Sequence, residues 1–304
     1  MIHKFFSFKF LQNPEIVLFI KQERLHMIKM KNLFNLSIAL LLLCSSCMTK
    51  RNQLQSTIEM SLQSTLQEFN ADSGLGIIMD SVGEVIAESS ISLLNGESAK
   101  ENPQQYTNVR DIGTLAVPIS LIPAMDNGNV SLSDTVDVGN GIYMYNGKEI
   151  RDHNADMGGY GEITLQQAVM FDSRVGMIKS LTPYTTVETT YSPMDILKFY
   201  HAIAISDTSL CSAKTMGEIQ HTLEKVVCEG TGKPLFSDDI KIAGKTGSVI
   251  KEDGTHEVSF CGYFKVNDSV YTCLIIISNP KKGYPSGGIM AGEVVKEIIN
   301  NLNR

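Results

Sequence analysis

The chain has 304 residues, with 26 Lys and Arg against 33 Asp and Glu, which gives a formal net charge of −7. This acidic balance argues against a nucleic-acid partner, because binding to phosphates needs a basic surface. Hydrophobic residues make up 43% of the chain and charged residues 19%, which is typical of a globular protein and excludes a disordered or collagen-like chain. The length predicts one large domain or two small ones.

The start of the chain is typical of an export signal. Lys29 and Lys31 form a basic region, and residues 33–44 form an apolar stretch. A bilayer-spanning helix needs about 20 apolar residues, so this stretch is too short for one. Small residues precede Cys47, and the pattern resembles a bacterial lipoprotein signal in which this cysteine carries the lipid. We therefore predict a signal segment over 1–46 and lipidation at Cys47; a plain signal peptide or a short anchor helix is the alternative.

The predicted processing changes the charge of the protein. Residues 1–26 precede better starts at Met27 and Met30, and we expect them to be an over-extended reading of the gene. Loss of residues 1–46 removes six basic and two acidic residues, so the formal net charge falls from −7 to −11. An anchored protein of this kind is expected in the periplasm, attached through its lipid to a membrane of the bacterial cell envelope.

The cysteines are too few and too widely spaced for a disulfide-rich miniprotein or a four-cysteine zinc site. Export would bring the chain into an oxidising compartment, but the four cysteines after the signal have apolar neighbours. We interpret them as buried free thiols, and a disulfide remains the alternative. They are Cys211, Cys228, Cys261 and Cys273.

The N-terminal part of the exported chain has clear secondary-structure signals. Apolar residues recur at helical spacing over 54–69, without a glycine, which predicts an amphipathic helix. Two short apolar runs, 75–80 and 85–87, are separated by a glycine-containing turn and predict a β-hairpin. Residues 89–108 are polar and are expected to be irregular.

The middle of the chain is predicted to be helical, and the C-terminal part returns to strands. Residues 114–126 lack glycine, but Pro118 and Pro123 would lie in or next to any helix there. Residues 127–163 are rich in Gly, Asn and Asp, which indicates loops and short hairpins. The remaining predicted elements are helices over 164–180, 193–205, 212–227 and 288–302 and strands over 240–250, 258–266 and 270–278.

Seven short motifs follow one another over residues 54–302. They lie at 57–63, 78–87, 126–136 with 150–153, 191–204, 226–233, 243–248, and 259–264 with 286–288. In this order they resemble the transpeptidase domain of penicillin-binding proteins, the serine acyltransferases of peptidoglycan synthesis. The resemblance implies an α+β, β-lactamase/transpeptidase-like fold, with an antiparallel sheet of about five strands covered by helices on both faces. We accordingly predict a lipidated linker over 47–53 and one transpeptidase-like domain over 54–304.

The first catalytic motif of that family is Ser-x-x-Lys at the start of a helix. Residues three apart share a helix face, so the lysine amine can take the proton of the attacking hydroxyl. At these positions the chain has Thr114 and Val117. Threonine keeps the hydroxyl of the nucleophile, but valine cannot accept a proton. Loss of a general base lowers the rate by about 10²–10⁴.

The second motif, Ser-x-Asn, is replaced by Asp172, Ser173 and Arg174. Asp172 stands at the position of the hydroxyl that transfers a proton, and Arg174 at the position of the amide that holds the substrate. Arg174 can either hold a ligand carboxylate with two parallel hydrogen bonds or pair with Asp172 or another neighbour. We favour the internal pair, since charged side chains that share a cleft usually neutralise each other.

The third motif is intact and reads Lys245, Thr246, Gly247 and Ser248. The resemblance implies that the lysine orients the second motif, that the glycine lets the substrate backbone approach, and that the last three residues form the substrate-binding wall. We predict that this strand forms one wall of a vestigial cleft. We also predict that Asp172 and Lys245 form a salt bridge that closes the site.

Other candidate catalytic groups are weaker. Ser248 and Lys251 fit the letters Ser-x-x-Lys, but residues three apart on a strand point to opposite faces, so chance explains the match. His153, next to Asp152, is expected to be a structural loop residue. No second histidine stands at the spacing of metal ligands, so we assign neither a metal nor a cofactor.

Three functions remain open at this stage. We favour a lipid-anchored pseudoenzyme of cell-wall biogenesis that binds peptidoglycan stem peptides or a cell-wall synthesis protein. The first alternative is a weakly active D,D-transpeptidase, carboxypeptidase or β-lactam-binding protein that uses Thr114 as nucleophile. The second is a sensor whose cleft reports muropeptides or β-lactams without turnover.

Overall fold

The computed structural model of the protein describes residues 48, 50–94 and 97–303. The predicted signal segment, residues 1–46, and the lipidation site Cys47 lie outside the described residues. Residues 53–304 form one compact unit. Within the part that is described, no helix has the length and apolar character needed to cross a membrane.

A six-stranded antiparallel sheet forms the centre of this unit. The three strands nearest the C-terminus join the three nearest the N-terminus where residues 269–278 pair with residues 73–79. The predicted antiparallel sheet is therefore confirmed, and it combines strands from both ends of the domain. The six strands are β1 (Ser73–Met79), β2 (Val85–Leu94), β3 (Glu97–Lys100), β10 (Ile242–Ile250), β11 (His256–Val266) and β12 (Ser269–Ser278). Their spatial order is β10-β11-β12-β1-β2-β3.

The sheet has six strands rather than about five, because the segment expected to be irregular over 89–108 is partly strand. β2 continues to residue 94, and β3 pairs with it at the edge of the sheet. All four residues of β3 are exposed, and Ala99 is its only apolar residue, so the alternation of apolar and polar residues that marks a half-buried strand is missing there.

Helices cover both faces of the sheet. On one face, helix α1 (50–68) presents Leu54, Ile58 and Leu62, which are buried at a spacing of four residues. It packs closely on β1, where a side chain at Gly76 would lie 2.6 Å from Ile58 Cδ1. On the other face, Tyr200 belongs to a second buried cluster, together with residues of the middle helices. The catalytic motifs of the resemblance lie on this second side.

The remaining helices follow the predicted pattern with one break. The helix predicted over 164–180 is interrupted between 170 and 174, where Asp172 takes a left-handed backbone conformation with φ of +58°. The second motif therefore lies in a turn between two helices. The helices are α2 (Val117–Asp126), α3 (Leu165–Met170), α4 (Arg174–Leu181), α5 (Pro193–Ala204), α6 (Ala213–Cys228) and α7 (Gly292–Leu302), the last preceded by a π-helical turn at Gly287–Ala291.

Short elements connect these helices and strands. Two of them border the candidate site: the 3₁₀ turn Gly113–Ala116 and the β6–β7 hairpin. The short strands are β4 (Arg110–Asp111), β5 (Thr135–Asp137), β6 (Ile142–Tyr145), β7 (Lys148–Arg151), β8 (Glu162–Thr164) and β9 (Thr190–Tyr191), and the other 3₁₀ turns are Pro103–Tyr106, Ala155–Met157 and Lys233–Leu235.

All four cysteines in the described part of the chain are free thiols, as predicted, but only Cys261 and Cys273 are buried. Cys211 is half-buried and Cys228 is exposed, so the prediction of burial is wrong for these two. Cys261 and Cys273 lie on neighbouring strands, but Cys261 belongs to the buried cluster on one side of the sheet and Cys273 to the cluster on the other. The sheet therefore separates their sulfur atoms. Burial raises the pKa of both thiols, so both are protonated at neutral pH.

Candidate functional site

The 3₁₀ turn before α2 places Thr114 against strand β10. The Thr114 hydroxyl donates a hydrogen bond to the carbonyl oxygen of Thr246 at 3.4 Å, and the residue is only 5% exposed. Gly113 has a φ of +58°, and a side chain there would lie 2.6 Å from the carbonyl oxygen of Ser248. The turn reaches the strand because Gly113 lacks a Cβ atom. The first and third motifs are thus brought into contact.

Tyr200 of α5 forms a hydrogen bond to this turn. The Tyr200 hydroxyl donates to the carbonyl oxygen of Leu115 at 3.0 Å, and the side chain is completely buried. Burial raises the pKa of Tyr200, so its hydroxyl stays protonated and acts as a donor. Val117, at the first residue of α2, is 2% exposed and lines a cavity beside Thr114. The position of the family's lysine is therefore apolar.

Lys245 and Asp172 form a buried ion pair. The Lys245 ammonium contacts Asp172 Oδ1 and also donates to the carbonyl oxygen of Thr246 at 2.9 Å. The lysine side chain is 0% exposed and the aspartate side chain 11% exposed. The predicted salt bridge is formed, and it joins the turn of the second motif to the strand of the third.

Arg174 does not make the predicted internal pair. Asp172 has turned its carboxylate toward β10, where it is occupied by Lys245. Among the described residues, the Arg174 guanidinium has neither an ion pair nor a hydrogen-bond partner. Its side chain lines the same cavity as Thr114 and Val117. The expectation that this arginine is neutralised by a neighbour is therefore wrong.

Ser173, the middle residue of the second motif, has a structural role. It caps the N-terminus of α4, where its hydroxyl accepts from the Gly176 amide at 3.0 Å. The same hydroxyl donates to Asp152 Oδ2 at 2.6 Å, and the other oxygen of Asp152 accepts from the Val175 amide at 3.0 Å. Asp152, 2% exposed, thus anchors the turn that carries Asp172.

A groove with a volume of about 190 Å³ runs along the third motif. The hydroxyls of Thr231 and Thr246 lie 2.6 Å apart on its wall. Strand β10 is the terminal strand of the sheet, so its outer edge is not paired with another strand of the sheet. The groove is lined by His153, Asp172, Thr231, Thr246, Gly247, Ser248, Tyr284, Pro285, Ser286, Gly287 and Gly288.

Gly247 differs from the role that the resemblance implies. A side chain there would lie 2.6 Å from Ser259 Oγ and 2.8 Å from Leu115 Cγ. The space that the glycine leaves is therefore filled by this chain's own side chains. Its lack of a Cβ atom serves packing between β10, β11 and the Thr114 turn.

His153 lies at the rim of the groove. Its Nε2 is 3.1 Å from the hydroxyl of Tyr160, whose ring stacks on Phe171 with centroids 5.4 Å apart. Burial, with Asp152 and Asp172 nearby, raises the pKa of Tyr160 to about 12. The histidine is thus held by a protonated tyrosine next to the groove.

The sequence did not single out Asp152, Tyr200 or Thr231 as members of the site. For Asp152, the signal in the sequence was its place beside His153 in a stretch that resembles the family.

The weaker candidates of the sequence form no catalytic group. Lys251 forms an ion pair with Glu257 Oε2 at 3.3 Å and does not interact with Ser248. In the residues that the structure describes, no group of three His, Cys, Asp or Glu side chains is arranged to hold a metal ion.

Comparison with known proteins places this geometry in a family context. Residues 178–300 match the family described as the penicillin binding protein transpeptidase domain. Over this stretch the chain is similar to these transpeptidase domains. The matched region contains the intact third motif at 245–248 and begins after the two degenerate motifs at 114–117 and 172–174. The match therefore includes the intact motif of the cleft and excludes the two degenerate ones.

Curated relatives are similar over part of their length. The chain is 29% identical over 143 residues to stage V sporulation protein D of Bacillus subtilis, covering 45% of this chain and 22% of that protein. It is 34% identical over 104 residues to the peptidoglycan D,D-transpeptidase FtsI homolog of Mesostigma viride, covering 32% of this chain and 17% of that protein. The chain spans about a fifth of the length of these relatives.

Solved structures share the fold of this transpeptidase-like domain. The apo transpeptidase domain of penicillin-binding protein 3 from Burkholderia pseudomallei superposes with a TM-score of 0.66 at 19% identity, over 82% of this chain and 93% of that chain. A peptidoglycan glycosyltransferase from Burkholderia ambifaria gives a TM-score of 0.65 at 18% identity, over 82% and 94% of the two chains. The predicted fold class is confirmed.

Proposed function

We propose that this protein is a penicillin-binding-protein-like pseudoenzyme of peptidoglycan biogenesis. It binds stem peptides or a cell-wall synthesis protein in its cleft and does not transfer acyl groups. The observation that carries the proposal concerns the two positions at which the family motifs have a lysine, 117 in the first motif and 245 in the third. One is occupied by Val117, and at the other the Lys245 ammonium is neutralised by Asp172.

The surroundings of Thr114 argue against acyl transfer. A serine or threonine hydroxyl is a weak nucleophile until a nearby base takes its proton. The hydrogen-bond partner of the Thr114 hydroxyl is the carbonyl oxygen of Thr246, which cannot act as a general base. Loss of a base lowers the rate by about 10²–10⁴, and more where the nucleophile and base act as a unit.

The groove along β10 supports binding of an extended peptide. An unpaired strand edge offers backbone N–H and C=O groups to which a peptide can add as a further strand. The carbonyl oxygen of Thr246 already accepts from Thr114 and Lys245, so a peptide would use the other backbone groups of this edge. Thr246 and Ser248 contribute hydroxyl groups to this groove, and Tyr284, 65% exposed, contributes an aromatic surface at its rim. These groups suit a short polar peptide, which is the chemical character of a stem peptide.

The location of the protein is part of the same proposal. A signal over 1–46 and a lipid on Cys47 would attach the domain to a membrane of the cell envelope, with residues 47–53 as a linker. A periplasmic domain in that position would meet peptidoglycan directly. Labelling with radioactive palmitate, lost in Cys47→Ser, tests the anchor separately from the cleft.

One observation favours a second candidate, a weak acyltransferase. Thr114 keeps a hydroxyl at the position of the family's nucleophile, and that hydroxyl lies against the intact third motif. In this case the Thr114 hydroxyl would lose its proton and form an ester with the carbonyl carbon of a β-lactam or a stem peptide. The amide C–N bond would break and its nitrogen would take up the proton, by opening of the lactam ring or by release of the amine part of the peptide. Loss of the adduct in Thr114→Ala would distinguish this candidate from the pseudoenzyme.

Thermal unfolding with a synthetic stem pentapeptide tests the binding function. A ligand that binds the folded state stabilises it by about 2.7 kcal/mol at a concentration of 100 times its Kd. For a domain of this size we expect a rise in Tm of several degrees. Ser248→Tyr, which fills the groove, should abolish the shift, and Ser209→Tyr, on an exposed loop, should not. The absence of a shift in the unmodified protein would refute peptide binding.

A further inference from the structure

A second cavity, of about 210 Å³, lies beside Thr114 and is lined by a different set of residues from the groove along β10. It lies among the start of α2, the first turns of α4, the β6–β7 hairpin and the segment before β9. It is smaller than the about 300–1,000 Å³ of sites for drug-sized ligands, so it suits a small molecule.

The walls of this cavity are mostly apolar. Val117 and Met177 are 2% and 1% exposed, and Ile178 and Val187 complete the apolar lining. Val117 stands where the family resemblance places a lysine, so an apolar side chain lines the cavity at that position. Apolar walls of this kind favour an aliphatic or aromatic group of a ligand.

Among the described residues that line the cavity, Arg174 is the charged one. In the described part of the chain its guanidinium has no carboxylate within 4.0 Å and no hydrogen-bond partner. The nearby acids are engaged elsewhere: Asp172 by Lys245, and Asp152 by Ser173 and the Val175 amide. An unpaired guanidinium beside apolar walls is suited to a carboxylate, which it can hold with two parallel hydrogen bonds.

We propose that this cavity is a binding site for small carboxylic acids with a short apolar body. Arg174 holds the carboxylate, and the walls formed by Val117, Met177 and Val187 take the hydrocarbon. The site requires no bond making or breaking. It is separate from the groove along β10, so it stands whether or not the groove binds stem peptides.

A titration of the full protein with hexanoate, followed by methyl NMR of Met177 and Val117, tests the proposal. Hexanoate should shift these methyl signals, whereas hexanamide, of the same shape without the charge, should bind at least about tenfold more weakly. Arg174→Gln should weaken hexanoate binding to a similar extent and remove the preference for the acid. Arg174→Lys should keep part of that preference. Arg151→Gln removes an exposed, paired arginine and should leave binding unchanged.

A second variant tests the apolar walls without altering the charge. Val187→Trp should fill the cavity and abolish hexanoate binding with Arg174 in place. The proposal is wrong if hexanoate leaves the methyl signals unchanged at millimolar concentration, or if hexanoate and hexanamide bind equally well. It is also wrong if both Arg174→Gln and Val187→Trp bind hexanoate as the unmodified protein does.

Discussion

Replacement of Lys245 by methionine removes the positive half of the ion pair at the centre of the cleft. The lysine is 0% exposed and its partner Asp172 11% exposed, so the substitution leaves a largely buried carboxylate without a counter-charge. Breaking one side of a buried pair lowers the free energy of unfolding by about 3–5 kcal/mol. For a domain of this size, each kcal/mol changes Tm by about 2–4 °C, so the expected drop is about 6–20 °C.

A double-mutant cycle separates the pair from simple packing changes. Asp172→Asn keeps a residue that tolerates the left-handed backbone at position 172. The Asp172→Asn, Lys245→Met double variant leaves no unpaired charge, so we expect it to recover most of the stability lost in Lys245→Met. Urea unfolding at neutral pH measures the four free energies. Lys265→Met serves as control, because its partner Asp268 is 98% exposed and such a pair contributes about 0–1 kcal/mol.

Two results would refute this reasoning. If Lys245→Met lowered the free energy of unfolding no more than the Lys265→Met control, the buried pair would not hold the cleft together. If the effects of Asp172→Asn and Lys245→Met added within about 0.5 kcal/mol, the two side chains would not interact in the folded protein.

Two further predictions concern the sheet and its covering helix. Burial lowers the pKa of His201 below its ordinary value of 6.5, and the nearby Asp80 opposes this shift. As the pH falls, His201 is therefore protonated in the unfolded chain before it is protonated in the folded protein. The free energy of unfolding should consequently decrease as the pH falls below about 6.5. The urea midpoint should fall more between about pH 7.5 and 5.5 in the unmodified protein than in His201→Gln, and equal falls would contradict the assignment. Gly262 faces Gly244 across β10 and β11, and a side chain there would lie 2.3 Å from the carbonyl oxygen of Ala243. Gly262→Ala should lower the free energy of unfolding by about 1–3 kcal/mol in urea, whereas an unchanged midpoint would show that the strands can move apart.

Local patterns predicted the sheet well where strands are buried. The three C-terminal strands were predicted over 240–250, 258–266 and 270–278 and occur at Ile242–Ile250, His256–Val266 and Ser269–Ser278. Their apolar runs and intervening turns are encoded within each segment. The exposed polar strand β3 gave no such signal, because its strand conformation depends on pairing with β2.

The sequence predicted which residues line the candidate site, but it did not predict all of their interaction partners. The ion pair between Asp172 and Lys245 followed from the expected meeting of the second and third motifs. The absence of a partner for Arg174 among the described residues could not be predicted in this way. It depends on the backbone at residue 172, where a φ of +58° turns the aspartate toward β10. The cavity beside Thr114 arises from four separate segments, and no single stretch of sequence carries a signal for it.

The pseudoenzyme claim is tested most directly by intact-mass spectrometry of the purified protein after incubation with a fluorescent penicillin. Since Thr114 has a backbone carbonyl as its hydrogen-bond partner and Val117 cannot take a proton, we predict an unchanged mass and no labelled band. A covalent adduct on the unmodified protein that disappears in Thr114→Ala would contradict the account, because it would show that this threonine still acts as a nucleophile.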